Sequence, residues 1–433
     1  MSTIWKSTEN LPGFPSLEGD LRTDVLVIGG GLAGLLCAYY LQKAGVEAAL
    51  IEAEELFGGT SGKTTAKITV QHGFQYHKLV RTQGEEKARL YLQANQAALQ
   101  EYGRLSKDLD FAFQREDAFL YSRSNPGRLE QEQTALDSLG SPPEWVDSIP
   151  LPFPTAGALR IPDQAQCDPL ALAAALCPGL KIYTRTAARS YEKGTIITDR
   201  GKIRAEKIIV ATHFPMFNKH GSYFLKLYQE RAYVLALKNV PPLCGMYMDE
   251  SPGGLTFRSF RNQLLISGNS HRTGKPGTGW DKADAMAARY YPGAVPTYRW
   301  ATQDCMTLDG MPYIGRYSAA TPELYVAAGF HKWGMTSAMV AALLLRDMMT
   351  DVPSAWGSLF SPSRSMLHPQ LAVNAFEAGK SLLTFSRPRC PHLGCALKWN
   401  PREHSWDCPC HGSRFSETGK LLNNPATGDL PKK

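Results

Sequence analysis

At 433 residues, 43% apolar and 20% charged, the chain has the make-up of a globular protein with room for two or three domains. Its net charge of +7 comes without any Lys/Arg-rich run, which argues against a nucleic-acid partner. The opening MSTIWKSTENLPGF has no apolar core of a secretory signal, and no segment reaches roughly 18 uninterrupted apolar residues, so no membrane span and a cytoplasmic location are expected.

Residues 24–28, DVLVI, form a short β-branched run suited to a strand buried on both faces. They lead into Gly29-Gly30-Gly31-Leu32-Ala33-Gly34, which matches G-x-G-x-x-G. A helical stretch ending at Gly45 follows, then a second strand over 48–51 that ends in Glu52. In such a unit Gly29 permits the tight turn, Gly31 lets the backbone approach a pyrophosphate and Gly34 lets the helix pack on the strand. Glu52 is placed to accept from adenosine ribose hydroxyls. The motif alone is weak; set within strand, helix, strand and acid it predicts a dinucleotide site.

After Glu52 the chain reads AEELFGGTSGKTTAKIT, with Gly58-Gly59 soon after the acid. This E-x5-G-G extension resembles the FAD fingerprint of the two-domain flavoproteins rather than the usual nicotinamide one. Thr60, Ser61, Thr64, Thr65 and Ala66 offer the small and hydroxylated side chains of a loop laid along a cofactor. KIIVATHFP (207–215) looks like the later strand beneath the same site, which adds Ala211 and Thr212, with Ala188 ahead of it, to the expected cofactor contacts. Further on, a strand over 324–327 breaks at Gly329, and Gly334 precedes a helix to about residue 348. That helix start, with Met335 and Thr336, can aim N–H groups and a positive dipole at a flavin carbonyl.

Taken together, residues 20–350 resemble the D-amino-acid/glycine/sarcosine oxidase superfamily of FAD oxidoreductases. The resemblance implies a discontinuous Rossmann-like FAD domain (about 20–90, 155–215 and 305–350). It also implies a substrate domain (about 95–150 and 225–300), whose antiparallel sheet would come from RAYVLALKNV, GLTFRSF and NQLLISGNS. The implied chemistry is hydride transfer from a C–N bond of an amine or amino acid to FAD. His271, Lys332 and Trp333 are the candidate catalytic residues; His213 is expected to be structural or near the cofactor. Nothing in the sequence names a general base.

Of nine cysteines, Cys37, Cys167, Cys177, Cys244 and Cys305 are scattered and are expected to be inert thiols, while four crowd into residues 390–410. Cys390-Pro391-His392 and Cys408-Pro409-Cys410-His411 form C-x-H and C-x-x-H, a ligand set that fits either tetrahedral zinc or a [2Fe–2S] cluster. With their flanking residues, C-x-H-x-G-C and C-P-C-H-G-S resemble the two boxes of a Rieske protein. That resemblance implies Cys390, His392, Cys408 and His411 as cluster ligands and a disulfide between Cys395 and Cys410. A linker over 351–369 and a small all-β Rieske domain over 370–433 follow from it. SLLTF is the single clear strand ahead of the first box, so the scaffold looks truncated, and Phe415 stands where respiratory-type members place a Tyr.

The expected fold is therefore α/β (α+β overall), with residues 1–350 as the flavoprotein and an all-β Rieske domain after the linker. A flavin takes two electrons at once and a [2Fe–2S] cluster passes one, so the fusion suits a dehydrogenase that feeds a one-electron carrier protein or a quinone-type acceptor. A reductase running in reverse and a low-turnover redox sensor are the alternatives.

Overall fold

The computed structural model describes residues 3–7, 11–385 and 388–431. The principal elements are β1 (Leu21–Ile28), α1 (Leu32–Lys43), β2 (Ala48–Ile51), β3 (Lys202–Val210) and β4 (Leu227–Lys238). They continue with β5 (Gln263–Arg272), β6 (Val295–Thr307), β7 (Thr321–Ala328), α2 (Gly334–Met349) and α3 (Pro369–Leu383). β1 pairs in parallel with β2 on one side and β3 on the other, and β3 pairs in parallel with β7. Val25, Leu26, Val27 and Ile28 are all buried, as a strand covered by helices on both faces requires.

A second sheet, nine-stranded among the described residues, begins β6-β4-β5 and continues through strands at Leu255–Phe260 and Met246–Asp249. The three segments expected to roof the substrate cavity all lie in it as antiparallel neighbours. No helix among the described residues is long and apolar enough to cross a membrane.

The C-terminal sheet is four short antiparallel strands: β8 (Lys398–Asn400), β9 (Ser405–Asp407), β10 (Arg414–Ser416) and β11 (Leu421–Asn423). The strand expected at SLLTF is not there. Ser381–Leu383 instead closes α3, and Thr384 and Phe385 have no regular structure. Short apolar runs do not separate strand from helix by themselves. Pro369 in the first turn and the His368 side chain, which accepts from Gln370 N at 3.2 Å, start a helix here. α3 turns a polar side inward: Asn374 Oδ1 accepts from Arg272 Nη1 (2.9 Å) and Ser381 Oγ donates to Ala396 O (3.2 Å). Phe376 and Leu383 are left exposed.

The C-terminal sheet sits on β4, β5 and β6 rather than on strands of its own. Buried Glu403 bridges Arg231 of β4 and Arg414 of β10. Burial pushes its carboxyl up, but the two guanidiniums outweigh that and hold it down to about 2. The short scaffold is completed by the flavoprotein.

Candidate active site and cluster site

A cavity of about 670 Å³ runs from the turn after β1 to the start of α2. Gly29 has φ +114°, and a Cβ there would lie 2.6 Å from Ala211 O; a Cβ on Gly34 would lie 1.9 Å from Gly29 O. Only glycine lets α1 seat this closely on the strand. Leu32 N, at the open end of α1, donates to Ser61 Oγ (2.8 Å). Glu52 accepts from Gly30 N (2.6 Å) and Glu54 N (2.9 Å), so it also fixes the glycine turn. Burial pushes its carboxyl up, against those two N–H groups.

Most of the cofactor residues expected from sequence meet in this one cavity. Gly29, Gly31, Glu52, Gly59, Thr60, Ser61, Thr64, Thr65, Ala188, Ala211, Thr212, Gly334 and Met335 line it. Gly34, Ala66 and Thr336 do not: Gly34 packs α1, Ala66 is buried at φ +52°, and Thr336 turns its hydroxyl to His72 Nε2 (3.2 Å). His72 carried no signal in the sequence. It is buried, contacts Tyr91 OH through Nδ1 (2.7 Å) and stacks on Trp333 at 4.5 Å, so it fixes the entry to α2. Burial drops its pKa to about 3, so the ring is neutral.

Of the candidate catalytic residues, Lys332 and Trp333 line the cavity and His271 does not. The His271 ring is turned against Gly277 and the edge of Tyr233 (5.8 Å), because its register opposite Arg231 faces it away from the cofactor. Lys332 pairs with Glu230 (2.9 Å) and donates to Ser270 Oγ (2.6 Å). Burial pushes the Glu230 carboxyl up, but Lys332 outweighs this and holds it below the usual range. His331 and Lys332 both have positive φ, 50° and 71°, a conformation that costs energy outside glycine.

Two cavity residues had no signal in the sequence. Asp304 lies opposite Glu230 across the β4–β6 pair. Burial raises its carboxyl to about 6, with Lys332 lowering it and Glu230 raising it further. Lys67 donates to Thr256 Oγ1 (2.7 Å), whose oxygen shares a hydrogen bond with Ser267 Oγ (2.6 Å). Burial, with Arg258 nearby, lowers Lys67 to about 7. The cavity thus has an amine of lowered pKa in one wall and a carboxyl of raised pKa in another.

At the C-terminal site, His392 and His411 stand 4.9 Å apart between ring centres. His411 Nε2 donates to Phe224 O (2.9 Å) and His392 Nε2 contacts Asn218 Oδ1 (2.9 Å). With Nε2–H engaged, Nδ1 of each ring is the bare nitrogen, and both Nδ1 atoms are buried without a partner. Bare, buried imidazole nitrogens are donors that a metal can take. Cys390 and Cys408 are buried within hydrogen-bond reach of each other, and Ser413 reaches Cys390. The donor set fits a [2Fe–2S] cluster with sulfur on one iron and imidazole on the other. The bridge expected between Cys395 and Cys410 is not formed: both are free thiols, within 4.8 Å of each other and of Cys408. Hydrogen bonds among the three keep Cys395 protonated and draw the Cys410 thiol down.

Phe415 is fully buried in the same apolar cluster as Cys390 and Cys408, so it presents no hydroxyl to a ligand sulfur. Phe415→Tyr is expected to raise the cluster potential by about 60 mV, equivalent to ~1.4 kcal/mol for one electron, as an added hydrogen bond to a thiolate favours the reduced state. Redox titration followed by EPR measures it; an unchanged or lower potential refutes it.

Comparison with known proteins agrees with both sites. Residues 24–348 match the family model for FAD dependent oxidoreductases (DAO), and residues 364–432 match that for the Rieske [2Fe-2S] domain. The chain is 34% identical to the putative Rieske 2Fe-2S iron-sulfur protein YhfW of Bacillus subtilis (strain 168), over 99% of this chain and 96% of that protein. It is also 54% identical over 37 residues to the cytochrome b6-f complex iron-sulfur subunit of Nostoc punctiforme, 8% of this chain and 21% of that one. Among solved structures, L-proline dehydrogenase from P. horikoshii superposes with a TM-score of 0.69 at 16% identity, covering 81% of this chain and 98% of that chain. Glycine oxidase from Geobacillus kaustophilus gives 0.66 at 22% identity, over 80% of this chain and 100% of that one. The chain belongs to the DAO family of FAD-dependent oxidoreductases, with a Rieske [2Fe–2S] domain joined C-terminally to its flavoprotein fold.

Proposed function

We propose that this protein oxidises an amino acid, or an amine bearing a carboxylate, at its C–N bond and passes the electrons singly through its own cluster to an external one-electron carrier. One observation supports this above all: residues 421–427 of the Rieske domain form part of the wall of the flavin cavity. A dehydrogenase that must empty its flavin one electron at a time needs that proximity; an oxidase using oxygen does not.

FAD, when bound, supplies a two-electron acceptor for hydride. The chain's residues do the rest. Lys67, donating to Thr256 and without a carboxylate partner among the described residues, offers a place for the substrate carboxylate. Asp304 takes a proton from the substrate ammonium, which leaves the nitrogen lone pair free to assist departure of hydride from the adjacent carbon. Lys332, tied to Glu230 and Ser270, stiffens the cavity wall at the entry to α2. L-proline dehydrogenase and the glycine oxidase, similar in fold, are by name enzymes of amino acids.

Anaerobic mixing with a panel of amino acids and simple amines tests the reading. A substrate should bleach the flavin and then raise the EPR signal of the reduced cluster. Bleaching by no member of the panel, or a cluster that stays oxidised after bleaching, overturns it. The activity kcat/KM should rise as pH rises through about 6, because Asp304 is ionised only above that value. In Asp304→Asn this limb should vanish and kcat/KM should fall about 100-fold. A pH profile that keeps the limb in the variant rejects Asp304 as the base.

A further inference from the structure

We infer that Gln229 and Gln303 are positioning residues that hold the histidine edge of the cluster loop against the flavin cavity, so that electrons cross inside a fixed assembly rather than through a Rieske domain that swings away. This rests on the proposed electron path and adds to it which residues set its geometry.

Both side chains are buried between the flavin cavity and the cluster loop. Gln229 Nε2 donates to His411 O (2.7 Å) and to Asn424 O (3.0 Å). Its Oε1 accepts from His213 Nε2 (3.0 Å) and from Gln303 Nε2 (2.7 Å). Gln303 Nε2 also donates to Gly412 O (2.8 Å). All four hydrogen-bonding positions of the Gln229 amide are therefore used, in a site with no room for disorder.

The Gln229 amide connects a cavity residue to the cluster loop, and residue 303 does so with its main-chain carbonyl on one side and its amide on the other. His213 lines the flavin cavity and reaches the carbonyl of His411 through Gln229 alone. Thr60, also in the cavity wall, donates to Gln303 O (3.1 Å), and the Gln303 side chain holds Gly412 O. A Cβ on Gly412 would lie 2.6 Å from Gln229 Cβ, so the loop is in direct contact with β4. On the far side of the same loop, Arg272 donates to Pro409 O (2.9 Å) and Cys410 O (3.1 Å). The outer nitrogens of both histidines point to Asn218 and Phe224 of the flavoprotein, and Phe214 meets both rings edge-on at 6.0 and 6.1 Å. The histidine side packs against the flavoprotein through these contacts.

With both groups bound, each transfer would take one electron from the flavin and give one to the iron pair, and a one-electron carrier would take it onward. The amides neither gain nor lose charge; they fix the separation across which the electron passes.

The test uses the full chain with both cofactors, the flavin being reduced by light and EDTA so that no substrate is needed. In Gln229→Leu and in Gln303→Met, neither of which can donate to the cluster loop, flavin photoreduction and the EPR line shape of the cluster should match wild type. Flavin-to-cluster transfer should slow about tenfold or more, and amide hydrogen exchange over 408–412 and 421–427 should speed up by a similar factor, as expected when buried amide hydrogen bonds are lost. Wild-type transfer with wild-type exchange in both variants overturns the inference. Loss of the cluster from both variants also overturns it, because the amides would then be needed to bind iron and not to place it. Failure of the substrate reading shows separately, as a wild-type flavin that no amine bleaches while light-driven transfer stays intact.

Discussion

Cys408→Ser is expected to yield a protein that keeps FAD and holds no [2Fe–2S] cluster. Serine is close in size to cysteine, and the Cys408 main chain is fixed by Cys408 N to Ser413 O (2.8 Å) and Gly412 N to Cys408 O (3.0 Å), so the loop should keep its path. The hydroxyl, however, is a poor ligand for iron that prefers thiolate, and affinity should fall about 100-fold or more. The flavin cradle draws its glycine turn, Glu52 and α2 start from residues before 350, none of which is altered. A substrate should therefore bleach the flavin at a near-normal rate in one turnover. Re-oxidation by a one-electron protein carrier should slow sharply, while re-oxidation by a small two-electron dye should not. Stopped-flow absorbance reads all three. A variant that feeds the protein carrier as fast as wild type takes the cluster off the electron path and favours a sensing role.

Gly31→Val should do the converse. Gly31 has φ −85° and ψ −175°, an extended conformation that valine adopts without strain. The variant should fold. Its added Cβ would lie 2.9 Å from Ser61 Oγ, the atom that accepts from Leu32 N at the open end of α1. The two methyl groups then occupy the space in front of the helix N-terminus, where a pyrophosphate has to sit. FAD content should fall about tenfold or more, whereas iron content and a dithionite-reducible cluster persist. The ratio of flavin absorbance to iron in purified protein measures it. Full flavin occupancy would place the pyrophosphate elsewhere.

The parts of these sites that were legible in the sequence are those set by neighbours along the chain. The strand, glycine turn, helix and acid over 24–52 follow from local pattern, because each residue acts on groups a few positions away. The grouping of Cys390 with His392, and of Cys408 with His411, was legible for the same reason, because each pair sits on one tight turn. Asp304, Lys67, His72, Gln229 and Gln303 were not. Gln303 meets Gln229 only because β4 and β6 pair antiparallel, and Lys67 meets Thr256 from 189 residues away. No periodicity encodes such meetings. The strand expected at SLLTF failed on the ambiguity of a short apolar run. The disulfide failed because the resemblance supplied a pairing that three hydrogen-bonded thiols do not make here.

Residues 421–427, which wall one side of the flavin cavity, leave the ribosome about 90 residues after the start of α2, which completes the rest of the cradle. At ~5–20 residues per second that is a delay on the order of 4–18 s. During this interval the residues of the glycine turn, Glu52 and the α2 start have been synthesised, but those of one side of the cavity have not. FAD can enter by that side and then be enclosed when the last sheet docks. Were FAD to enter before that sheet docks, capture and assembly of the two redox centres would be ordered in time, flavin first and iron–sulfur cluster second. A cell short of flavin would release chains whose wall has closed over an empty cradle, and riboflavin supplied after synthesis should restore them more slowly than riboflavin supplied during it.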